Sequence, residues 1–554
     1  MTSQNQVTTH SYDVLVIGGG VAGLTAATVN AEQRLTVALV DKGPFGFSGA
    51  SGINWDHWIR EIENPDEFCR SWLEGGEGMC NPAVVKAFID AAYRRGPLVA
   101  TEMWGSILKR DRDGQLYLKK TNEAGAKQLQ GYFAKQHAKE VKKRGVAVFD
   151  CLMITELLTS NGECVGAMGL HIPTGAIHVF RAKAVILAPG SFAWTYGWHT
   201  VGARSITQPE CTGDGHALAY RHGAELQDME FWVGDLISIY PEGIAATIGA
   251  VGADAMHYGY VLDKDGHHFF NDIPIDKMTR GLFNRIAVQH IRNGKGSPNG
   301  GLYIDLKAIP YEEIAIYYRR NLEHVKADFG YDWLKEPVEV VFEWYETCGH
   351  PSVNARAETT LPRLLSAPGG GSRGVRGGNS WMSCFGVALL AAESAGKLGK
   401  NRKLPPFDAG QVDREVGRIS AVLNSKPQYP VTAIAVMHQI QAAVFGGMGP
   451  DRDGVGISRC LEELRRIRAE ELPRIGLRSQ TRVFNLELRH ALEVNNMLDV
   501  AEMSARAALM REETRGAHVR SDFPERNDEV WSKNIHIRNV AGKMVLDARP
   551  VPSC

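Results

Sequence analysis

Residues 12–41 read YDVLVIGGGVAGLTAATVNAEQRLTVALVD. Tyr12–Ile17 is a short β-branched run, the pattern of a strand buried on both faces. Gly18-Gly19-Gly20-Val21-Ala22-Gly23 follows and matches G-x-G-x-x-G. Leu24–Asn30 reads as a helix and Leu35–Val40 as a second strand, closed by Asp41, 18 positions past Gly23. Each glycine has a physical reason: Gly18 permits the tight turn, Gly20 lets a pyrophosphate approach the backbone, and Gly23 lets helix pack on strand. Val21 and Ala22 open a helix whose free N–H groups and positive dipole end suit phosphates. Asp41 can accept from both hydroxyls of an adenosine ribose. A lone glycine motif is a weak signal; one flanked by strand, helix and acid is a strong signal of a dinucleotide site.

The next segment separates FAD from NAD. Lys42–Ile53 reads KGPFGFSGASGI, a run of small residues that can wrap a pyrophosphate, a ribityl chain and a flavin edge. It makes Lys42, Ser48, Gly49, Ala50, Ser51 and Gly52 cofactor-contact candidates. Lys183–Gly190 (KAVILAPG) is another strand ending in glycine, and Thr212-Gly213-Asp214-Gly215 opens the helical stretch HALAYRHGAEL. Asp214 is expected to cap that helix and to accept from ribityl hydroxyls.

Composition narrows the class. The 554 residues suggest about three to five folding units at roughly 100–200 residues each. Lys plus Arg is 62 and Asp plus Glu is 63, so no charge excess draws the chain to nucleic acid or anionic membranes. Its 59 glycines exceed the roughly 7% typical of proteins, as expected where backbone closely approaches a ligand. Nine scattered cysteines form no Cys-x-x-Cys pair, which argues against a metal site or an in-chain iron–sulfur cluster and for a reducing, cytoplasmic setting. The opening MTSQNQVTTHSYD has no targeting pattern. The longest apolar runs fall far short of the about 20 residues of a membrane span.

Four stretches carry a family resemblance: the N-terminal motif, TGDGHALAYRHGAELQDMEF at 212–231, RGGNSW at 376–381, and LEVNNMLDVAEMSARAALMREETRGAHVRSDFPERND at 492–528. In this order they resemble the succinate dehydrogenase/fumarate reductase flavoproteins, a family that includes aspartate oxidase and the α subunit of adenylylsulfate reductase. The resemblance implies an α/β fold: a Rossmann-like FAD-binding domain at about 1–235 and 350–425, with an inserted α+β capping domain at about 236–349. A helical domain would follow at 426–520, then a short irregular tail at 521–554. Ala433–Ala443, Leu461–Glu471 and Leu486–Arg511 have helical period on their own account, and Leu302–Leu306 reads as a strand. The resemblance adds Asn379, Ser380 and Trp381 to the cofactor contacts. Thr514-Arg515-Gly516 and Pro524-Glu525-Arg526 read as a capped helix end and a polar turn.

The chain departs from the family where substrate binds. The family's covalent-flavin His has no counterpart, since no His lies between His10 and His57; non-covalent FAD is expected, and the Ser-Gly-Ala loop is closer to adenylylsulfate reductase. A His-Pro-Thr triplet is replaced by a segment ending in Asp235. Cys348-Gly349-His350-Pro351 stands for a family His-Tyr-Thr-Met-Gly-Gly element, Ala367-Pro368-Gly369 lacks the family's acid, and the Arg expected at Val375 is displaced to Arg376. A dicarboxylate clamp is thus mostly absent. Arg280, in Asp276–Gly281, matches the family's proton-shuttle Arg, with Asp254 as the matching acid. Arg376, with Arg373, can hold an anionic substrate. His350 and His257 are acid–base candidates. Trp194, Tyr196, Trp198 and Trp232 either shape a substrate pocket or pack the core.

The expected function is FAD-dependent hydride transfer between flavin N5 and a small organic substrate other than succinate or fumarate. Any iron–sulfur or ferredoxin-like electron partner would be a separate protein. Two alternatives stand beside it: an adenylylsulfate-reductase-like subunit working through a flavin–sulfur adduct, and a non-catalytic electron relay. The oligomeric state is open.

Overall fold

In the computed structural model the chain begins β1 (Val7–Ile17), α1 (Val21–Glu32) and β2 (Val37–Val40), then α2 (Pro65–Gly75), α3 (Pro82–Arg95) and α4 (Phe133–Lys143). Strands β3 (Ala147–Phe149), β4 (Leu152–Ser160), β5 (Glu163–His171) and β6 (Ile177–Leu187) lead to α5 (Asp214–Arg221). There follow β7 (Leu226–Gln227), β8 (Trp232–Ser238), β9 (Val261–Leu262), α6 (Arg280–His290), β10 (Leu302–Ile304), β11 (Val338–Thr347), β12 (His350–Pro351) and β13 (Leu364–Ser366). Helices α7 (Ser380–Asn401), α8 (Ala409–Leu423), α9 (Ala433–Met448), α10 (Gly454–Arg466) and α11 (Leu486–Met510) precede the closing strands β14 (Lys533–Val540) and β15 (Lys543–Pro550). The residues described are 7–47, 49–53, 58–59, 61–108, 110, 115, 127–128, 133–197, 208–238, 240, 261–270, 273, 280–307, 311, 322–368 and 380–553.

The main sheet has the order β3-β2-β1-β6-β5-β4, with β13 also on β6. Strand β1 pairs parallel with β2 (Val14↔Val37) and with β6 (Val14↔Ala184). Period-two alternation sends Val14 and Val16 into one core with α1, α3 and α7, and Leu15 into the other with the C-terminal helices. That two-sided burial is why Val14–Ile17 is apolar at successive positions. At about 25 cal/mol per Å² of apolar surface, burying each Val or Leu here stabilises by roughly 1.5–3 kcal/mol.

A second, antiparallel sheet runs β8-β11-β10-β9. The third runs β12-β7-β14-β15 and joins mid-chain strands to the end of the chain. Two expectations are corrected here. The segment after 521 is not an irregular tail: Lys533–Pro550 is a hairpin, with Val540 opposite Lys543 and Ala541 and Gly542 both at positive φ in the turn. The helix expected through Leu226 ends at Arg221, because Gly223 turns the chain at φ +88° and Leu226 enters β7.

Candidate active site

The loop from β1 to α1 is built on missing side chains. Gly18 adopts φ +105°, and a β-carbon there would overlap the Ala188 carbonyl oxygen. One on Gly23 would overlap the Gly18 carbonyl, and one on Gly19 would meet the Asp41 carboxylate. Gly20 caps α1 in extended conformation and offers no side chain to the first turn, which carries no acid. The Val21 N–H donates to Ser51 Oγ at 3.1 Å, and Ala22 is buried beside it. Ser51 sits on a short helix, Gly49–Ile53, which also holds Ala50; Gly52 there presses on the Phe47 backbone. Asp41 is 7% exposed and accepts the Gly43 N–H. A cradle of main-chain N–H groups that any side chain would fill, with a buried carboxylate at its rim, fits a dinucleotide. Ser48 lies outside the described residues.

Asp214 reaches the same region by another route, and its expected capping role is corrected. The cap of α5 is Gly213 at φ +81°; Asp214 is the first helical residue and makes no cap. Its carboxylate instead accepts from Lys42 Nζ at 2.6 Å, Asn496 Nδ2 at 2.7 Å and the Thr212 hydroxyl at 3.0 Å. Lys42 Nζ also donates to Thr212 Oγ1 at 2.8 Å and to Glu493 Oε1 at 2.7 Å. Burial works against the Lys42 ammonium, yet Asp214 and Glu493 outweigh it and its pKa rises. Burial likewise opposes the Asp214 carboxylate, but Lys42 and the hydrogen bonds lower its pKa. Sequence reading missed Thr212, Glu493 and Asn496. The signal was present as Arg489, Glu493, Asn496 and Asp499, polar residues at helical spacing along α11, of which Glu493, Asn496 and Asp499 are buried.

The structure sorts the candidates for the substrate side. Trp232 opens β8 fully buried, among Phe192, Tyr196 and Trp344 at ring separations of 5.6, 6.2 and 6.3 Å; Trp232 and Tyr196 are core residues. Trp381 is buried too, stacked on Phe385 at 4.8 Å. His350 is 3% exposed, and its Nδ1–H donates to the Pro351 carbonyl at 2.8 Å. Burial lowers its pKa, with Asp228 opposing. The backbone of Arg280 opens α6, and Ser380 opens α7. Helix α6 is anchored where Asn284 Nδ2 donates to the Ala517 carbonyl and Arg285 pairs with Glu77 at 3.0 Å. Asp254, His257, Arg373, Arg376 and Asn379 lie outside the described residues, as do Trp198 and His199. Gly18, Gly20, Val21, Ala22, Gly23, Asp41, Lys42, Ser51 and Asp214 are brought together; His350 is held in β12, and Trp381 in α7 packs in the same core as Val21 and Ala22.

The family motif Asp228–Phe231 sits beside a buried charge knot. Arg511 Nε donates to Glu230 Oε1 at 2.8 Å, its Nη1 to Glu513 Oε1 at 2.9 Å, and its Nη2 to the Lys533 carbonyl at 2.7 Å. Burial pushes the Glu230 carboxyl up, Arg511 pulls it down, and the net shift is upward. Arg515, expected at a capped helix end, belongs to this knot beyond the helix terminus at Met510, pairing with Glu513 at 2.7 Å.

Comparison with known proteins agrees with this architecture. Residues 13–355 match the FAD binding domain model and residues 437–553 the fumarate reductase flavoprotein C-terminal model. The chain is 29% identical to the fumarate reductase flavoprotein subunit of Mycobacterium tuberculosis over 94% of both chains. It shares its fold with a chain of the E. coli quinol fumarate reductase, with a TM-score of 0.86 at 22% identity, covering 98% of this chain and 97% of that one. The adenylylsulfate reductase of Archaeoglobus fulgidus has the same fold, with a TM-score of 0.80 at 19% identity, covering 100% and 98%. The chain therefore belongs to the fumarate reductase/succinate dehydrogenase family of flavoproteins: it binds FAD and is an FAD-dependent oxidoreductase.

Proposed function

We propose that this chain is the substrate-bearing subunit of an oxidoreductase whose substrate is a small organic molecule other than succinate or fumarate. The observation that carries the reading is β8 itself. Its sequence, Trp232-Val233-Gly234-Asp235, stands where the resemblance implies a His-Pro-Thr triplet, and an acidic residue at that position does not suit a dicarboxylate. Residues 236–349 act as the capping unit over an FAD-binding unit of 1–235 and 350–425, with 426–520 as the helical unit.

FAD, held by the β1–α1 cradle, Asp41, the 42–52 loop and Asp214, supplies two-electron chemistry when bound. Because residues 42–53 contain no His, attachment is non-covalent. Arg376, with Arg373, grips an anionic group of the substrate, where a guanidinium binds in two-pronged fashion. Arg280, at the start of the anchored α6, carries a proton to the substrate carbon. Stripping an Arg near pH 7 costs at least about 7 kcal/mol, and Asp254 is the proposed acid that offsets it. His350 has Nδ1 committed to Pro351, leaving Nε2 for proton exchange.

The M. tuberculosis relative is named as a subunit. A separate iron–sulfur protein is accordingly the proposed electron partner, in the cytoplasm; no described helix is long and apolar enough to cross a membrane. The His-free Gly49–Ser51 loop favours a second reading, an adenylylsulfate-reductase-like activity. Anaerobic stopped-flow bleaching of the flavin against carboxylates, aromatic acids and sulfur compounds tests these readings. Fast reaction with an aromatic or monocarboxylic compound is expected. Fumarate or succinate reacting faster than every other compound refutes the proposal; reduction by a protein donor with no small-molecule turnover marks an electron relay.

A further inference from the structure

The Lys42 network has a valence that can be counted. An ammonium has three N–H donors. Those of Lys42 go to Thr212, Asp214 and Glu493 at 2.6–2.8 Å. Lys42 therefore has no donor left for a phosphate, although it follows the ribose-binding Asp41. A carboxylate offers about four lone-pair positions. Asp214 uses three, for Lys42, Asn496 and Thr212, and keeps one.

Glu493 stands at the far end of this arrangement, 451 residues from Lys42 in sequence. Its side chain is 1% exposed. Its Oε1 takes both Lys42 and Arg489 Nε, the latter at 2.9 Å, while Oε2 is buried with no partner among the described residues. A buried charge held so one-sidedly is costly to keep. The two acids and two cations Lys42, Arg489, Asp214 and Glu493 balance in charge. Take away the Glu493 charge, and Lys42 is left leaning wholly on Asp214 and Thr212, with a freed N–H that competes for the remaining lone pair of Asp214.

We propose that Glu493 is a positioning residue for the cofactor. From the helical segment it restrains the Lys42 ammonium, and so keeps the Asp214 carboxylate oriented with one acceptor position open for a hydroxyl of FAD. Helix α11 thereby contributes to flavin retention without touching the flavin.

The test is FAD titration of apoprotein, followed by flavin fluorescence, together with the thermal midpoint of each apoprotein. E493Q is expected to raise the FAD dissociation constant about tenfold and to alter the visible circular dichroism of the bound flavin. E493D, which keeps the charge, is expected to restore most of the affinity. Leu492→Ala is the structural control: it opens a cavity in the core between α8 and α11 and is expected to lower the thermal midpoint while leaving FAD affinity within twofold. The paired variant K42M/E493L removes both charges and is expected to fold, since apolar residues of similar volume often replace a buried pair at little cost and Asp214 keeps Asn496 and Thr212 as donors, yet to bind FAD as weakly as E493Q. The proposal is overturned if E493Q, or the paired variant should E493Q not fold, binds FAD within twofold of wild type. It is equally overturned if Leu492→Ala and E493Q lose affinity in step with their thermal midpoints.

Discussion

Arg511→Met removes the centre of the buried knot, and the size of the effect follows from its geometry. The Arg511 side chain is 0% exposed and serves Glu230, Glu513 and the carbonyls of Trp531 and Lys533. Glu513 keeps Arg515 as a partner. Glu230 does not: among the described residues its Oε2 already lacks a partner, and its Oε1 loses the Arg511 guanidinium. Removing one member of a buried pair costs about 3–5 kcal/mol. If the chain melts as one unit, an unfolding entropy of roughly 2 cal/mol/K per residue turns about 4 kcal/mol into a fall of about 3–4 °C in Tm. The pH dependence gives the sharper check. The folded pKa of Glu230 is raised, by burial first, so the native state holds more protons than the unfolded chain above the ordinary carboxylate pKa. Stability contributed at this site therefore declines as pH rises through that window. Without Arg511 the folded pKa rises further, so the destabilisation must grow as pH rises above the ordinary carboxylate pKa. Thermal denaturation of the holoprotein across that range measures it. A loss below about 1 kcal/mol, or one independent of pH, refutes the reasoning.

Other outcomes follow from the site. Gly23→Val is expected to abolish flavin binding, because its β-carbon overlaps the Gly18 carbonyl; yellow protein with unchanged flavin content would contradict it. Acid precipitation should release all flavin to the supernatant, and colour left in the pellet would show covalent attachment. Arg280→Lys is expected to cut turnover by roughly 10²-fold with FAD retained, in line with lost proton transfer; unchanged turnover removes Arg280 from the mechanism. Glu77→Gln frees Arg285 on α6 and is expected to speed proteolysis within 236–349, a loosening absent if the pair is only decorative.

What the sequence made legible was local. Tyr12–Asp41 contains strand, turn, helix and acid within one stretch, and the structure repeats them as β1, α1 and β2. Helices at 433, 461 and 486 were legible from their good helix formers and apolar spacing, although the last is buried on nearly every side. Long-range pairings were not. Lys42 read only as a cofactor-contact candidate in the 42–53 loop, because nothing near it in sequence reveals Thr212, Asp214 and Glu493. Asp214 looked like a cap because capping residues are common at helix starts; Gly213, at positive φ, took that role. The hairpin at Lys533–Pro550 was available from its alternation around Ala541-Gly542 and was obscured by the irregular ending that the family resemblance suggested.

Strand β14 lies against β7 through Ile537↔Leu226 and His536↔Gln227, which ties the order of synthesis to the order of assembly. A ribosome must emit nearly the whole polypeptide before this mid-chain edge can be sealed and before Arg511 can find the Lys533 carbonyl. Such distant contacts close slowly. A newborn chain thus passes through an interval with its third sheet unfinished, and shortening the protein ahead of Lys533 would make that interval permanent.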